Sequence, residues 1–284
     1  MAEKSIFPFT VGKMKCIALL DALVEYPVEA LVARVNPDDS EPSLTEYGLK
    51  RDGKFTSPYV SLLIQAGSQY VLVDTGYGDL WEPGGNLLGC LQEAGVEPEQ
   101  IDVVIISHAH GDHVGGNTGK DGRIQFPNAR WMMAREEWDF WTNLENINDP
   151  FDKGVVERKL LPISERVQFV QGESEIVPGV FTLPLPGHTP GHLAIAIRSE
   201  GQELFYTADT MLHPIHVDHP DWCASEWADM NCEGVVQSRR ALYDRAASRN
   251  ALVFAFHFNP FPGLGHIERL GEGWRWVPIE AFRP

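Results

Sequence analysis

The stretch Ser107-His108-Ala109-His110-Gly111-Asp112-His113 restricts what this chain can become more than any other. It sets three imidazoles and a carboxylate directly after the apolar, mostly β-branched run Val103-Val104-Ile105-Ile106. Such a run reads as a buried strand, so the cluster falls at the strand's end, where an irregular loop can aim several side chains at one point. Zinc and its first-row neighbours accept imidazole nitrogen and carboxylate oxygen, and a catalytic site leaves a position open for water. His108 and His110 share one side of an extended backbone. Asp112, an N-cap type of residue, and His113 come after the turn and suit a second ion better than the first.

The flanking pattern alternates strand and helix. Residues 59–65 and 70–74 read as a hairpin about Ala66-Gly67-Ser68, and 86–94 as a helix stopped by Gly95. Asp74-Thr75-Gly76 has the form of the aspartic-protease triplet, but that chemistry needs two carboxylates sharing a proton, and no second copy exists. A strand at 130–134 and a helix from Arg135 follow. Residues 143–165, with Asn-Asp-Pro and Leu-Pro-Ile, read as an insertion or lid rather than core. Short strands are expected at 167–170, 181–185, 192–198 and 204–207, then a helix at 233–250 and a buried strand at 251–256. Two halves, each of strands followed by helix, predict two facing sheets with helices outside, within one domain over 1–284. The opening 55 residues are poorly patterned.

Forty acidic against 23 basic residues give a formal charge of −17, with no Lys/Arg run. Nucleic acid is therefore excluded as a partner, because phosphate-backbone binding needs clustered cations. No stretch approaches the roughly 20 apolar residues of a membrane span. The opening Met1 to Pro8 lacks a basic segment followed by an apolar one, so a cytoplasmic protein is expected. Cys16, Cys90, Cys223 and Cys232 form no Cys-x-x-Cys pair and read as packing residues in a reducing compartment.

Three further ligand candidates stand where strands run out. His188 lies in Pro186-Gly187-His188-Thr189-Pro190-Gly191-His192, Asp209 closes 204–208, and His257 follows 251–256. With Asp74-Thr75-Gly76 and the 108–113 cluster, this order of elements resembles the metallo-β-lactamase superfamily. The resemblance implies an αββα sandwich of two mixed sheets. It also implies that His108, His110 and His188 hold one divalent ion, that Asp112, His113 and His257 hold a second, and that Asp209 bridges them. Zinc is the first expectation for both ions, with Mn, Fe or Co admitted by the same ligands.

Departures from the superfamily's branches narrow the expectation. Asp209 stands where many true β-lactamases have Cys, and His110 where redox diiron members have Glu. Only 27 residues follow His257, too few for the helical domain that glyoxalase II relatives append. The charge is wrong for an RNase Z relative. The tail His257-Phe258-Asn259-Pro260-Phe261-Pro262-Gly263-Leu264-Gly265-His266 with Trp274-Arg275-Trp276 resembles the methyl parathion hydrolase group of lactonases and arylesterases. That resemblance implies a binuclear hydrolase of lactones or aryl esters, with organophosphate triesters as side substrates and a metal-bridging hydroxide as nucleophile. A thioesterase or phosphodiesterase of the same superfamily is the alternative. Loss of a ligand would mark a non-catalytic sensor, and all seven are present. Asp112 and Asp209 are expected to fix the metals and pass a proton to the leaving group, and His213 to contact substrate. Trp222, Trp227, Phe258, Phe261 and Leu264 are expected to line an apolar chamber. Acyl-homoserine lactonases of this superfamily carry a Tyr three residues after the bridging Asp; here Leu212 stands there. Whether two copies pair as a homodimer is left open.

Overall fold

The computed structural model describes residues 5–279. Met1 to Lys4, half of the opening read for a secretory signal, lie outside the described residues. The first sheet has seven strands that neighbour one another in chain order: β1 (Ile6–Val11), β2 (Met14–Pro27), β3 (Lys54–Ala66), β4 (Gln69–Val73), β5 (Ile101–Ile105), β6 (Arg130–Ala134) and β7 (Val167–Val170). Its first four strands pair antiparallel and β4 to β7 pair parallel. The second sheet is likewise in chain order: β8 (Ser174–Val177), β9 (Val180–Pro184), β10 (Leu193–Ser199), β11 (Gln202–Tyr206), β12 (Leu252–Phe254), β13 (Leu264–Leu270) and β14 (Gly273–Pro278). Only β11 and β12 pair parallel there.

The helices are α1 (Pro37–Glu46), α2 (Leu87–Glu93), α3 (Gly111–Val114), α4 (Arg135–Thr142), α5 (Pro150–Val155), α6 (Ile215–Asp218) and α7 (Cys232–Arg249). Three apolar clusters give the layer order. One holds Ala18, Leu62, Val73 and Ile105 of the first sheet together with Ile195, Tyr206 and Phe254 of the second, so the sheets face each other across it. Another packs Leu72 and Val104 under α2 and α4, through Leu91 and Trp141. A third packs Ala194 and Val253 under α7, through Leu242 and Tyr243. The architecture is the expected αββα sandwich. β5 shows why its run was legible: Ile101, Val103, Val104 and Ile105 are all fully buried, as a strand covered on both faces requires.

Several expectations need correction. Of the opening 55 residues, those described hold the paired strands β1 and β2 and the helix α1, not a patternless lead. Asp112 is not an N-cap; α3 begins at Gly111, and His110 occupies the cap position with extended backbone angles. Residues 143–165 are more than a lid. Val155, Val156, Leu160 and Ile163 of this stretch are buried in the outer core, while Phe151 and Asp152 turn the other way. Lys159, 1% exposed, anchors the stretch by an ion pair with Asp79 and a 2.8 Å bond to the Thr118 carbonyl. Finally, Cys223 and Cys232 form a disulfide, so two of the four cysteines are not packing thiols. Cys16 and Cys90 are free and buried, as expected. Among the described residues, no helix is long and apolar enough to cross a membrane.

Candidate metal centre

The cluster gathers at the carboxyl ends of strands from both sheets, where loops can reach over the core. β5 of the first sheet leads into His108–His113. β9, β11 and β12 of the second lead into the loops of His188, Asp209 and His257. Close backbone approach sets the turn after β4 and the loop of His188. Gly76, at φ +68°, packs on a carboxylate that a Cβ would meet at 2.4 Å, and that carboxylate is Asp21 at a register shift of β2. Gly187, at φ +138°, lies against α7, where a Cβ would stand 2.0 Å from the Val235 nitrogen.

The seven predicted ligands converge as two groups sharing Asp209: His108, His110, His188 and Asp209, and Asp112, His113, Asp209 and His257. In the first, His110 Nδ1 is 3.1 Å from His108 Nε2 and 3.0 Å from His188 Nε2, and Asp209 Oδ2 is 3.3 Å from His188 Nε2 and 3.9 Å from His108 Nε2. In the second, Asp209 lies 3.0 Å from both His113 Nε2 and His257 Nε2, and Asp112 Oδ2 lies 3.7 and 3.6 Å from the same two nitrogens. Four donors bound tetrahedrally at the zinc–nitrogen length of about 2.05 Å would stand about 3.3 Å apart. The observed separations scatter about that value. His113 Nε2 and Asp209 Oδ1 are buried and, although 3.0 Å apart, are not aligned as a hydrogen bond to each other or to any other described residue, which is costly unless a cation uses their lone pairs. The donor set fits two divalent ions.

Three of the imidazoles, those of His113, His188 and His257, are aimed by a bond to the nitrogen that faces away from the cluster. Asp74, buried with φ +60°, takes four bonds: from Ser107 N, Ser107 Oγ and Tyr206 Oη at 2.7 Å each, and from His113 Nδ1 at 2.8 Å. Ser57 Oγ is 2.9 Å from His257 Nδ1, and Asp229 Oδ1 is 3.3 Å from His188 Nδ1. Asp229 is itself held by Arg239 at 3.1 Å and the Ala224 nitrogen at 2.8 Å. Glu137 ties two ligand loops together, accepting from Ala109 N at 2.9 Å and Gly191 N at 2.8 Å. Of these, only Asp74 had a sequence signal, its Asp-Thr-Gly turn. Ser57, Glu137 and Asp229 come from distant elements, and nothing local marks them.

Burial, reinforced by neighbouring imidazoles, holds His108 and His110 well below the usual histidine range, so both are neutral and able to ligate. Burial also opposes charge on Asp209, but His257, His113 and His188 outweigh it and hold the carboxyl well below its usual value.

A cavity of about 320 Å³ opens onto the cluster. Its floor includes His110, Asp112, His188, Asp209 and His257, and its walls include Tyr26, Phe55, Trp81, Phe151, Leu212 and Trp227. Of the residues expected to line it, only Trp227 does. Phe258 and Leu264 are buried in two different apolar clusters, Phe261 packs on the inner one, and Trp222 stacks on His219 at 3.8 Å. His213 lies behind Phe55, with ring centroids 5.8 Å apart, and its Nδ1 accepts from the Ile215 nitrogen. That placement gives no support to the substrate contact expected of it. Tyr26, Phe55, Trp81 and Phe151 carry no sequence signal, because they belong to segments without a motif.

An αββα sandwich with two fused His/Asp clusters at the mouth between its sheets defines a class of metal-centre proteins. The chain belongs to the metallo-beta-lactamase superfamily, which it matches over residues 56–271. An N-acyl homoserine lactonase of Bacillus sp is 32% identical over 114 residues, 40% of each chain. The lactonase AttM of Rhizobium radiobacter is 31% identical over 120 residues, 39% of this chain and 42% of that one. The matched region thus spans about two fifths of these curated relatives. Among solved structures, AidC, described as a dizinc quorum-quenching lactonase in complex with a product, superposes with a TM-score of 0.88 at 26% identity over 99% of both chains. AbOPH, described as a hydrolase in the beta lactamase superfamily, superposes with the same TM-score at 23% identity over the whole of both chains, which speaks to the fold alone.

Proposed function

We propose that this protein is a metal-dependent hydrolase that opens lactones carrying an apolar acyl chain, N-acyl homoserine lactones among them. The observation that carries the reading is the apolar cavity ending on a seven-ligand cluster. Such a cavity selects by shape and burial, and orients the substrate through a few polar groups at one end. The relatives and AidC support a lactone as the reacting group. Two divalent ions, zinc first among them, would supply a water acidic enough to attack at neutral pH and would polarise the carbonyl oxygen. His108, His110 and His188 with Asp209 would hold one ion, and Asp112, His113 and His257 with Asp209 the other. Asp112 and Asp209 face the cavity floor and can accept the proton released as water adds. The aromatic wall excludes bulk water around the acyl group.

Leu212 favours a second reading, in which aryl esters are the better substrates. It puts an alkyl group on the cavity wall beside Asp209, and an aryl ester with its easily departing phenolate needs less help there than an alkyl lactone. A panel of homoserine lactones, dihydrocoumarin, phenyl acetate, a thioester and a phosphotriester decides. The first reading expects homoserine lactones to lead. A kcat/KM for dihydrocoumarin about tenfold above the homoserine lactones, about 1.4 kcal/mol in barrier, would favour the second. Turnover of the thioester alone, or of none by protein holding two ions, overturns both.

A further inference from the structure

Resting on the lactone or ester reading, we infer that the Tyr26 hydroxyl is a substrate-contacting donor: it hydrogen-bonds to the substrate oxygen that gains charge as the acyl–oxygen bond breaks. Tyr26 ends β2 and pairs with Phe55 of β3. Side chains alternate along a strand, so Phe55, Ser57 and Tyr59 share one face of β3, and this face meets the metal cluster. Ser57 there bonds His257, and the Tyr59 ring lies 5.5 Å from that of His257. Tyr26 lines the cavity together with Asp112, Asp209 and His257. Its ring is clasped between Phe55, at 6.1 Å and 30°, and Trp227, at 6.3 Å and 21°.

The hydroxyls of Tyr26 and Tyr59 are hydrogen-bonded to each other. One of the two protons occupies that bond and the other needs an acceptor. Tyr59 is 2% exposed and closed in by the rings of Tyr77, Phe256 and His257, and its hydroxyl has Tyr26 as its partner among the described residues. If Tyr26 donated, the Tyr59 proton would be buried without an acceptor. Tyr59 therefore donates and Tyr26 keeps its proton for the cavity. The imidazole nitrogens that face the cluster would ligate and offer no hydrogen bond to an alkoxide, and the proton that Asp112 or Asp209 takes from water is the one that finally neutralises it; the Tyr26 hydroxyl adds a standing hydrogen bond beside them. Donation polarises the Tyr26 O–H further, because a hydroxyl that accepts one bond donates a stronger one. The step is a hydrogen bond only: water adds to the acyl carbon, the ring C–O bond breaks, and the released proton ends on the departing oxygen.

The test compares Tyr26→Phe and Tyr59→Phe with the parent, all loaded with zinc, on an alkyl lactone and on an aryl ester of equal acyl length. Tyr26→Phe keeps the clasped ring and should lower kcat for the alkyl lactone by about a hundredfold to a thousandfold, as loss of a transition-state donor does. The aryl ester should lose less than threefold, and Tyr59→Phe should fall between. Calorimetric affinity for a non-hydrolysable lactam and the zinc content should not move, which a merely structural role would not allow. Equal losses on both substrates, or weakened lactam binding with kcat intact, would overturn the donor role. Failure of the parent to hydrolyse either substrate would instead overturn the reading on which it rests.

Discussion

Buried imidazoles make stability depend on pH even away from the ligands. His213 is held down to about 4 by burial, and His216 to about 3 by burial and by Arg239 beside it. In the unfolded chain both would titrate near 6.5. Above that pH both states are neutral and nothing is gained or lost. Below it the unfolded state takes up protons that the folded state refuses, so stability falls as pH falls. At pH 5 each group costs about 2 kcal/mol relative to pH 7. Asp21 acts in the opposite direction: burial raises it to about 6 despite the bonds it accepts from Tyr77 N and Leu87 N, so it returns about 1 kcal/mol over the same interval. Urea unfolding at pH 7 and pH 5 should show a net loss of about 3 kcal/mol from these three groups. His213→Asn, which keeps an acceptor for the Ile215 nitrogen, should lose about 2 kcal/mol less than the parent over that range. Equal losses in variant and parent would show that His213 titrates normally. At this scale the ligands were legible because their residue types are dense and scarce elsewhere. The groups that aim them were not, since a Ser or an Asp gives no signal until folding brings it to an imidazole.

Elements were legible where one segment carries its own periodicity. β5 and α7 declare themselves, the first as an unbroken apolar run and the second as a helix with Asn231 capping its start and Asn250 in the left-handed region after its end. β13 and β14 do not, because each owes its place to pairing with a neighbour across a short turn. The disulfide of the Cys223 to Cys232 loop is illegible in the sequence for the same reason: a pairing of cysteines nine apart is decided by the path of the chain between them. This loop carries Asp229 to His188 and Trp227 to the cavity wall. A loop of that length, when cross-linked, removes about 2.5 kcal/mol of chain entropy from the unfolded state. Reduction, or Cys223→Ser with Cys232→Ser, should therefore lower the unfolding free energy by about that amount. Thiol titration of the denatured, unreduced protein should find two free groups, Cys16 and Cys90. Four free groups would remove the cross-link.

For the whole molecule, the decisive feature is that the ligands are divided between the sheets. His108, His110, Asp112 and His113 follow β5 of the first sheet, whereas His188, Asp209 and His257 follow strands of the second. The sandwich as a whole was legible because each half alternates strands with helix. Its antiparallel edge of β1 and β2 was not, lying in a segment without a motif. Each ion held at that junction would bind the folded chain and not the unfolded one, stabilising it by RT ln(1 + [L]/Kd), about 4 kcal/mol per ion when free metal exceeds Kd a thousandfold. For a chain of this size that corresponds to a Tm about 8 °C higher per ion than in the chelator-treated protein. Elemental analysis of protein purified without chelator should find close to two ions per chain. Asp209→Ala removes the ligand common to both groups and should lose both ions and most of the Tm difference. His257→Ala should retain one ion and about half of it. A ratio that never exceeds one after reconstitution, or a Tm indifferent to chelator, would mean that the seven side chains converge without forming a binuclear centre.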